Sequence, residues 1–287
     1  MPELPEVETI RRDLSKRVIG KKIAKVIVIK KKLVRSPLKS FIRILAGNSF
    51  VRLDRRAKLL VATLKKGERF LLIHLKMTGQ LLYQRGHSVS GGGHPQPPPG
   101  TELPNKFSHI IFDFNDGSHL YFNDMRQFGY MKLVDKKEKE RIFSEYGLEP
   151  LSKEFTLTAF KKLVAGKKTP IKKILTDQKY IAGIGNIYAD EACFAAGILQ
   201  TRLGSSLSEL EIKKLYIACK SILKKAVAKR GTTFRDFRDA SGARGNFVKF
   251  LKVYGRAGEK CLRCKKSIIK KSRLGGRSTA YCPVCQK

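Results

Sequence analysis

The chain has 287 residues, roughly twice a typical domain length, so two or three domains are expected. Hydrophobic residues make up 42%, enough for real cores, which excludes wholesale disorder, and no apolar run approaches the ~18–20 residues of a membrane span. Sixty Lys and Arg against 24 Asp and Glu leave a net charge of +36, which the fold cannot neutralise by itself. Part of that excess reads as a solvated lysine-rich surface, and an anionic membrane surface is a weaker partner because no basic amphipathic helix stands out. Nucleic acid is the favoured partner, since phosphate neutralisation supplies affinity. The acidic start, Met1 to Glu6, carries no secretory signal, so a cytoplasmic location is expected.

Along the chain, Leu4, Val7, Ile10, Leu14 and Val18 recur at three-and-four spacing and predict an amphipathic helix over 1–18 after a short entry. From 22 to about 134 the pattern is strand-like. A β-branched basic run covers 22–34, and stretches 50–64 and 69–75 flank a turn at 65–68. Stretches 109–114 and 119–123 flank Asn115-Asp116-Gly117-Ser118, a strong hairpin signal. Short strands at this spacing predict a β-sandwich or barrel. Residues 86–106, rich in Gly and Pro, read as a long surface loop.

After about 136 the pattern turns helical. Pro170 suits a helix start, Asn186 could cap a helix running to Gly197, and Ser208 with Glu211 fits a capping box. The helix that box opens keeps Leu215, Cys219, Ile222 and Ala226 on one face and stops before Gly231; residues 231–246 read as a polar loop. Cys193 and Cys219 read as core thiols. The expected division is therefore 1–135, 136–252 and 253–287, an α+β architecture.

The tail holds Cys261, Cys264, Cys282 and Cys285 as C-x2-C-x17-C-x2-C, the spacing of one structural four-thiolate Zn²⁺ site. Two disulfides are the alternative, disfavoured without a secretion signal. The intervening residues predict a hairpin around Leu274-Gly275-Gly276. The ten Lys or Arg against one Glu over 253–287 make it a candidate DNA-contacting finger.

The amino terminus is a candidate site. If Met1 is removed, Pro2 exposes a secondary amine with an ordinary pKa near ~8. Such an amine can attack an aldehyde-like carbon and form an iminium, with Glu3 and Glu6 in reach for proton transfer. The plainer reading is a helix entry with acids at its positive end.

Seven further motifs accompany that start. The stretches are M-P-E-L-P-E-V-E-T-I-R-R (1–12), R-R-A-K (55–58), H-L-K-M-T-G (74–79), D-M-R-Q-F-G (124–129), D-Q-K-Y-I-A-G-I-G-N-I-Y-A-D-E (177–191), G-T-T-F-R-D-F (231–237), V-Y-G-R (253–256) and the cysteine module. Over essentially its whole length the chain resembles the bacterial formamidopyrimidine-DNA glycosylase family. The resemblance implies an N-terminal β-sandwich domain, a helix-two-turn-helix domain and a C-terminal zinc finger. It also implies a monomer, associated with the bacterial nucleoid, acting on double-stranded DNA that contains oxidised bases.

Residue by residue, it implies Pro2 as nucleophile at C1′, Glu3 as the acid that helps open the sugar, and Glu6 as support. Lys58 would bind phosphate and assist elimination, and Arg277 would contact phosphate at the lesion. The damaged base must leave the stack. Met77, Arg126 and Phe128 would fill the void, against core packing as the ordinary reading of Met77 and Phe128. Asn186 after Gly183 and Gly185, together with His74, His109 and Lys167, would contact DNA, although lone histidines are more often structural. The 231–246 loop would close over the everted base. Lys76, Gln127 and the long 86–106 stretch depart from the family pattern and bear on substrate preference and affinity.

The implied activity is a bifunctional DNA glycosylase/AP lyase for oxidised purines such as 8-oxoguanine. Its sibling, endonuclease VIII, shares the Pro2-Glu3 chemistry but prefers oxidised pyrimidines; the Leu4-Pro5 start and the Met77, Arg126, Phe128 set favour the purine-directed member. A catalytically dead zinc-finger binding protein and a basic RNA-associated protein are the alternatives from other classes.

Overall fold

The computed structural model describes residues 1–93, 102–232 and 246–287, which form two compact units. The first comprises Met1–Phe143 with Lys229–Asn246, the second Ser144–Ala228 with Phe247–Lys287.

In the first unit, helix α1 (Leu4–Val18) turns its apolar stripe inward, as the spacing predicts. Strand β1 (Ile23–Val28) follows, then a 3-10 turn (Lys31–Leu33) and helix α2 (Leu38–Leu45), which buries Phe41 and Leu45. The strand-like reading of 22–34 therefore holds for the first half only, and the helix after Pro37 lacks a clear sequence signal. Next come β2 (Phe50–Arg56), β3 (Leu59–Leu64), β4 (Phe70–His74), β5 (Gly79–Arg85) and β6 (Ser88–Gly93). They are followed by β7 (Ser108–Phe114), β8 (His119–Asp124) and β9 (Tyr130–Val134). The stretch 50–64, expected as one strand-like run, is a hairpin broken at Ala57-Lys58.

Among the described residues of this unit the strands form two sheets, ordered β1-β7-β8-β5-β6 and β2-β3-β4-β9. Their inner faces meet in one core, with Leu60, Leu71 and Ile73 from one sheet and Leu81, Phe112 and Phe122 from the other. Alternation along each strand aims these residues at the same layer. Helix α3 (Lys136–Ser144) brings Ile142 and Phe143 to Leu59, Val61 and Leu72 on the outer face of the second sheet.

The loop expected over 86–106 is corrected in part. Residues 88–93 are strand β6, paired with β5 from Arg85↔Ser88 to Gln80↔Gly93. A Cβ on Gly92 would stand 2.4 Å from Ile10 Cγ1, so glycine there admits α1 against the sheet. Residues 94–101 of that stretch, and 233–245 of the 231–246 loop, lie outside the described residues.

In the second unit, α4 (Leu157–Val164), α5 (Ile171–Thr176), α6 (Asn186–Ala196) and α7 (Glu209–Ala228) pack Phe160, Ile174, Tyr188, Leu215 and Leu223 into one core. Cys193 and Cys219 are buried there, as expected of core thiols. The capping box forms, with Ser208 N donating to Glu211 Oε2 at 2.8 Å and Glu211 N donating to Ser208 Oγ at 3.3 Å. Gly197 ends α6 at φ 76°. The cap at its other end is Gly185, not Asn186, which is the first helical residue. Strands β10 (Lys270–Leu274) and β11 (Arg277–Tyr281) form the hairpin of the cysteine module, turning at Gly275-Gly276 as predicted.

Candidate active site and nucleic-acid interface

The first unit buries residues 2–7 and leaves Met1 exposed. Pro2 is buried, and Glu3 and Glu6 are 3% and 1% exposed. Burial lowers the proton affinity of the Met1 amine, next to Pro2; Glu3 and Glu6 oppose this, and the cations of Lys58 and Arg126 add to it. Four of the residues singled out in the sequence thus act electrostatically on the same terminus. An amine of depressed basicity is the form in which nitrogen attacks carbon near neutral pH, and removal of Met1 would place the Pro2 nitrogen at that terminus.

Glu6 is held from both sides. Its Oε2 accepts from Glu3 N at 2.9 Å and its Oε1 from Thr232 N at 2.7 Å. A Cβ on Gly231 (φ 79°) would stand 2.8 Å from Glu6 Oε1, so this backbone can approach the carboxylate only as glycine. Glu6 therefore fixes the α1 entry against the root of the 231–246 loop.

Lys58, 4% exposed, sits in the β2–β3 turn, where Arg56 pairs with Leu59 and Ala57 takes φ 54°. Arg55 holds that turn: its Nη1 donates to Ala57 O at 2.9 Å and its Nε to Glu8 Oε2 at 3.2 Å. Burial opposes ionisation of Glu8, but hydrogen bonds from Arg11 and Arg12 and the charges of Arg11 and Arg55 pull it down to about 2. His74 lies opposite Leu59 in the next strand. Burial, then the cations of Lys76, Lys58 and Arg35, bring its pKa down to about 3. Lys76 N donates to His74 Nδ1 at 3.0 Å, so the neutral ring carries its proton on Nε2, ready to donate to an anion.

Met77 and Phe128 are 40% and 51% exposed, which removes core packing as their explanation. They sit on two separate turns that one carboxylate joins. Asp124, wholly buried, accepts from Thr78 Oγ1, from Arg126 N at 3.2 Å and from Gly129 N at 2.6 Å. Arg126 N also donates to Thr78 Oγ1 at 2.9 Å, and the Arg126 guanidinium lies 4.8 Å from the Phe128 ring centre. His109 is placed differently from an exposed phosphate ligand. It is 1% exposed, with Nε2 at 2.9 Å from Asp124 O and Nδ1 without a partner among the described residues.

The second unit carries Asn186, Lys167 and Arg277. Gln178 shapes the turn before α6, accepting from Gly183 N at 2.8 Å and donating to Ile184 O at 2.9 Å. Asn186 Nδ2 stands 3.5 Å from Ser278 Oγ while its Oδ1 is buried without a partner. Exchanging the two amide atoms lets Ser278 donate to Oδ1 and makes the buried amide N–H pair the group without a partner among the described residues. Arg277 is exposed at the start of β11, immediately before Ser278, and Lys167 lies 5.1 Å from the Tyr180 ring centre.

That strand is pinned by a buried ion pair. Lys172 Nζ meets Asp190 Oδ1 at 2.7 Å and donates to Ser278 O at 2.7 Å and Thr279 Oγ1 at 3.0 Å. Asp190 also accepts from Ala280 N at 3.0 Å and Gln200 Nε2 at 3.1 Å. Burial pushes Asp190 up to about 6 against the pull of Lys172. Glu191 accepts from the backbone N–H groups of Lys252, Val253 and Tyr254 at 2.9–3.0 Å, tying α6 to the start of the cysteine module.

The four cysteine sulfurs lie within 4.8 Å of one another. The pairs Cys261–Cys285 and Cys264–Cys282 are each 3.8 Å apart. Sulfurs at ~2.3 Å from a central tetrahedral ion stand ~3.8 Å from each other. The donor set fits one closed structural Zn²⁺, and the distances exclude two disulfides.

Sequence reading does not single out Glu8, Arg55, Asp124, Lys172, Asp190 or Glu191. All but Lys172 stand inside the motifs above with no role attached; the Asp124 bond to Thr78, for one, spans 46 residues and has no local signature. Comparison with known proteins agrees with this geometry. The formamidopyrimidine-DNA glycosylase N-terminal domain matches residues 1–131, the H2TH domain of the same enzymes 146–238, and a zinc finger found in FPG and IleRS 258–287. Formamidopyrimidine-DNA glycosylase of Pelotomaculum thermopropionicum is 43% identical over 100% of this chain and 99% of its own length. That of Desulfitobacterium hafniense is 40% identical over 100% of both. Lactococcus lactis Fpg in complex with DNA containing an abasic site superposes with a TM-score of 0.88 at 31% identity over 99% of each chain. Its complex with N7-benzyl-Fapy-dG DNA gives 0.88 at 32% over 100% of each. No helix among the described residues is long and apolar enough to cross a membrane. The chain belongs to the formamidopyrimidine-DNA glycosylase family.

Proposed function

We propose that this protein is a base-excision-repair DNA glycosylase with AP lyase activity, directed at oxidised purines in double-stranded DNA. The observation that carries the reading is the buried Pro2, with Glu3, Glu6, Lys58 and Arg126 acting electrostatically on the Met1 amine next to it. The Lactococcus lactis relative, bound to Fapy-dG and abasic-site DNA, supports the substrate class. The reading keeps three functional segments, 1–135 for chemistry, 136–252 for DNA binding and 253–287 as the zinc finger, in a monomer working on DNA in the bacterial cytoplasm.

With Met1 removed, the Pro2 nitrogen attacks C1′ of the damaged nucleotide. The bond from C1′ to the base breaks, and its electron pair leaves with the base, which takes a proton. Glu3 transfers protons to and from the opening sugar. The resulting iminium acidifies the C2′ hydrogen; its removal expels the 3′ phosphate by β-elimination, and a second elimination expels the 5′ phosphate. Lys58 and Arg277 bind phosphate and favour its departure. Met77 and Phe128 wedge into the stack and Arg126 bonds the base left unpaired. Zn²⁺ holds the finger's fold and takes no part in the chemistry. Duplexes carrying 8-oxoguanine opposite cytosine should be nicked with loss of the base faster than duplexes carrying an oxidised pyrimidine. The reverse order would move the protein to the endonuclease VIII class.

A further inference from the structure

Next to the wedge lies an open groove of about 430 Å³, lined by Lys32, Leu33, Arg35, Lys76, Met77, Gln127, Phe128 and Gly129. It contains three cations and no carboxylate. Among the described residues none of the three cations forms an ion pair, although Glu8, Asp13, Asp54, Asp116, Asp135 and Glu138 of the same unit each pair with a lysine or arginine. We infer that Lys32, Arg35 and Lys76 form a phosphodiester-binding subsite beside the Met77–Phe128 wedge. The inference rests on the proposed DNA-repair reading and adds a contact to it.

Three observations converge on this groove. The Arg35 guanidinium is stacked 3.8 Å from the Tyr130 ring centre, and Lys76 Nζ lies 5.9 Å from the same centre, so one ring holds two like charges together. That arrangement is costly in the free protein: burial, then Arg35, lowers the basicity of Lys76. An anion between them relieves the repulsion. Lys76 and Gln127, both groove residues, also take left-handed backbone, at φ 51° and 55°. Side chains other than glycine adopt this conformation rarely, and it concentrates where a site demands a particular geometry. Finally, Lys76 N fixes the His74 tautomer, so the lysine that lines the groove also orients a second phosphate donor.

The test uses the full-length protein carrying Pro2→Gly to silence chemistry. Its affinity is measured over a range of salt for a duplex with a stable abasic analogue and for undamaged duplex. Asparagine tolerates left-handed backbone, so Lys76→Asn removes the charge without reshaping the turn. Lys32→Ala is the second variant, and Lys137→Asn, on exposed α3, controls for net charge. Each phosphate contact contributes a slope of about −0.9 to log K against log salt. Lys76→Asn and Lys32→Ala should each lower the slope by about that much and weaken both duplexes alike, by roughly three- to tenfold at low salt. Lys137→Asn should do neither. A steep parental slope left unchanged by both groove variants, or changed equally by Lys137→Asn, would overturn the subsite while leaving the repair reading intact. A parent that binds no duplex would overturn the reading on which the subsite rests.

Discussion

Asp124 offers a sharp test of how the wedge is built. Its buried carboxylate accepts from the Thr78 hydroxyl, from Arg126 N at 3.2 Å and from Gly129 N at 2.6 Å. The substitution Asp124→Asn is nearly isosteric but leaves a single acceptor oxygen. If that oxygen stays with Thr78, the new amide N–H faces the Gly129 N–H, donor against donor. Hydrogen bonds to a charged group are each worth ~1.5–3 kcal/mol, and a stranded buried donor costs ~1–3 kcal/mol. Asp124→Asn should therefore destabilise the protein by about 2–4 kcal/mol, read by urea unfolding. Both wedge turns should loosen, so excision from a stacked duplex should fall more than cleavage at a preformed abasic site, where no base has to be displaced. A variant within ~0.5 kcal/mol of the parent, the range of ordinary surface substitutions, with both activities unchanged, would refute this account of Asp124.

Other outcomes follow from the same contacts. Glu8 is depressed from 4.5 to about 2, so its contribution is complete above pH 4.5 and is lost as pH falls toward 2. Solvent screening of this partly exposed cluster holds that contribution to about 1–2 kcal/mol. Glu8→Gln should flatten that part of the acid-unfolding profile and reduce Lys58-dependent cleavage through the Arg55 bridge to Ala57. Lys172→Met strands Asp190 and should cost ~3–5 kcal/mol in thermal unfolding; adding Asp190→Asn should recover part of the loss. Metal removal by a chelator should unfold the β10–β11 hairpin, seen as lost amide protection over 258–287, and restored Zn²⁺ should reverse it.

Much of the fold is legible in the sequence because local patterns and tertiary demands agree. The α1 stripe, the Asn-Asp-Gly hairpin, the Ser208 capping box and the cysteine spacing each specify a structure within a few residues. The misses share a cause. Helix α2 has only eight residues, too few for periodicity to separate it from the β-branched run before it. The β2–β3 turn uses Ala57-Lys58, with no Gly, Pro, Asn or Asp to mark it, and is held by Arg55. Gly91-Gly92-Gly93 reads as a loop because glycine is usually a breaker, whereas here the missing side chain of Gly92 admits Ile10 of α1. In the site, the groups expected to act are those to which a recognisable motif assigns a role. The groups that hold them, Glu8, Asp124 and the Lys172–Asp190 pair, are ordinary acids and a lysine. Their meaning exists only once distant segments meet.

The measurement that bears most directly on the central claim is covalent trapping at the amino terminus. The Met1-processed protein is incubated with a duplex carrying 8-oxoguanine opposite cytosine, borohydride is added, and the adduct is located by peptide mapping. The account predicts one protein–DNA species, reduced at the Pro2 nitrogen and absent in undamaged duplex. An adduct on a lysine side chain, or strand cleavage at full rate with no adduct at Pro2, would contradict it.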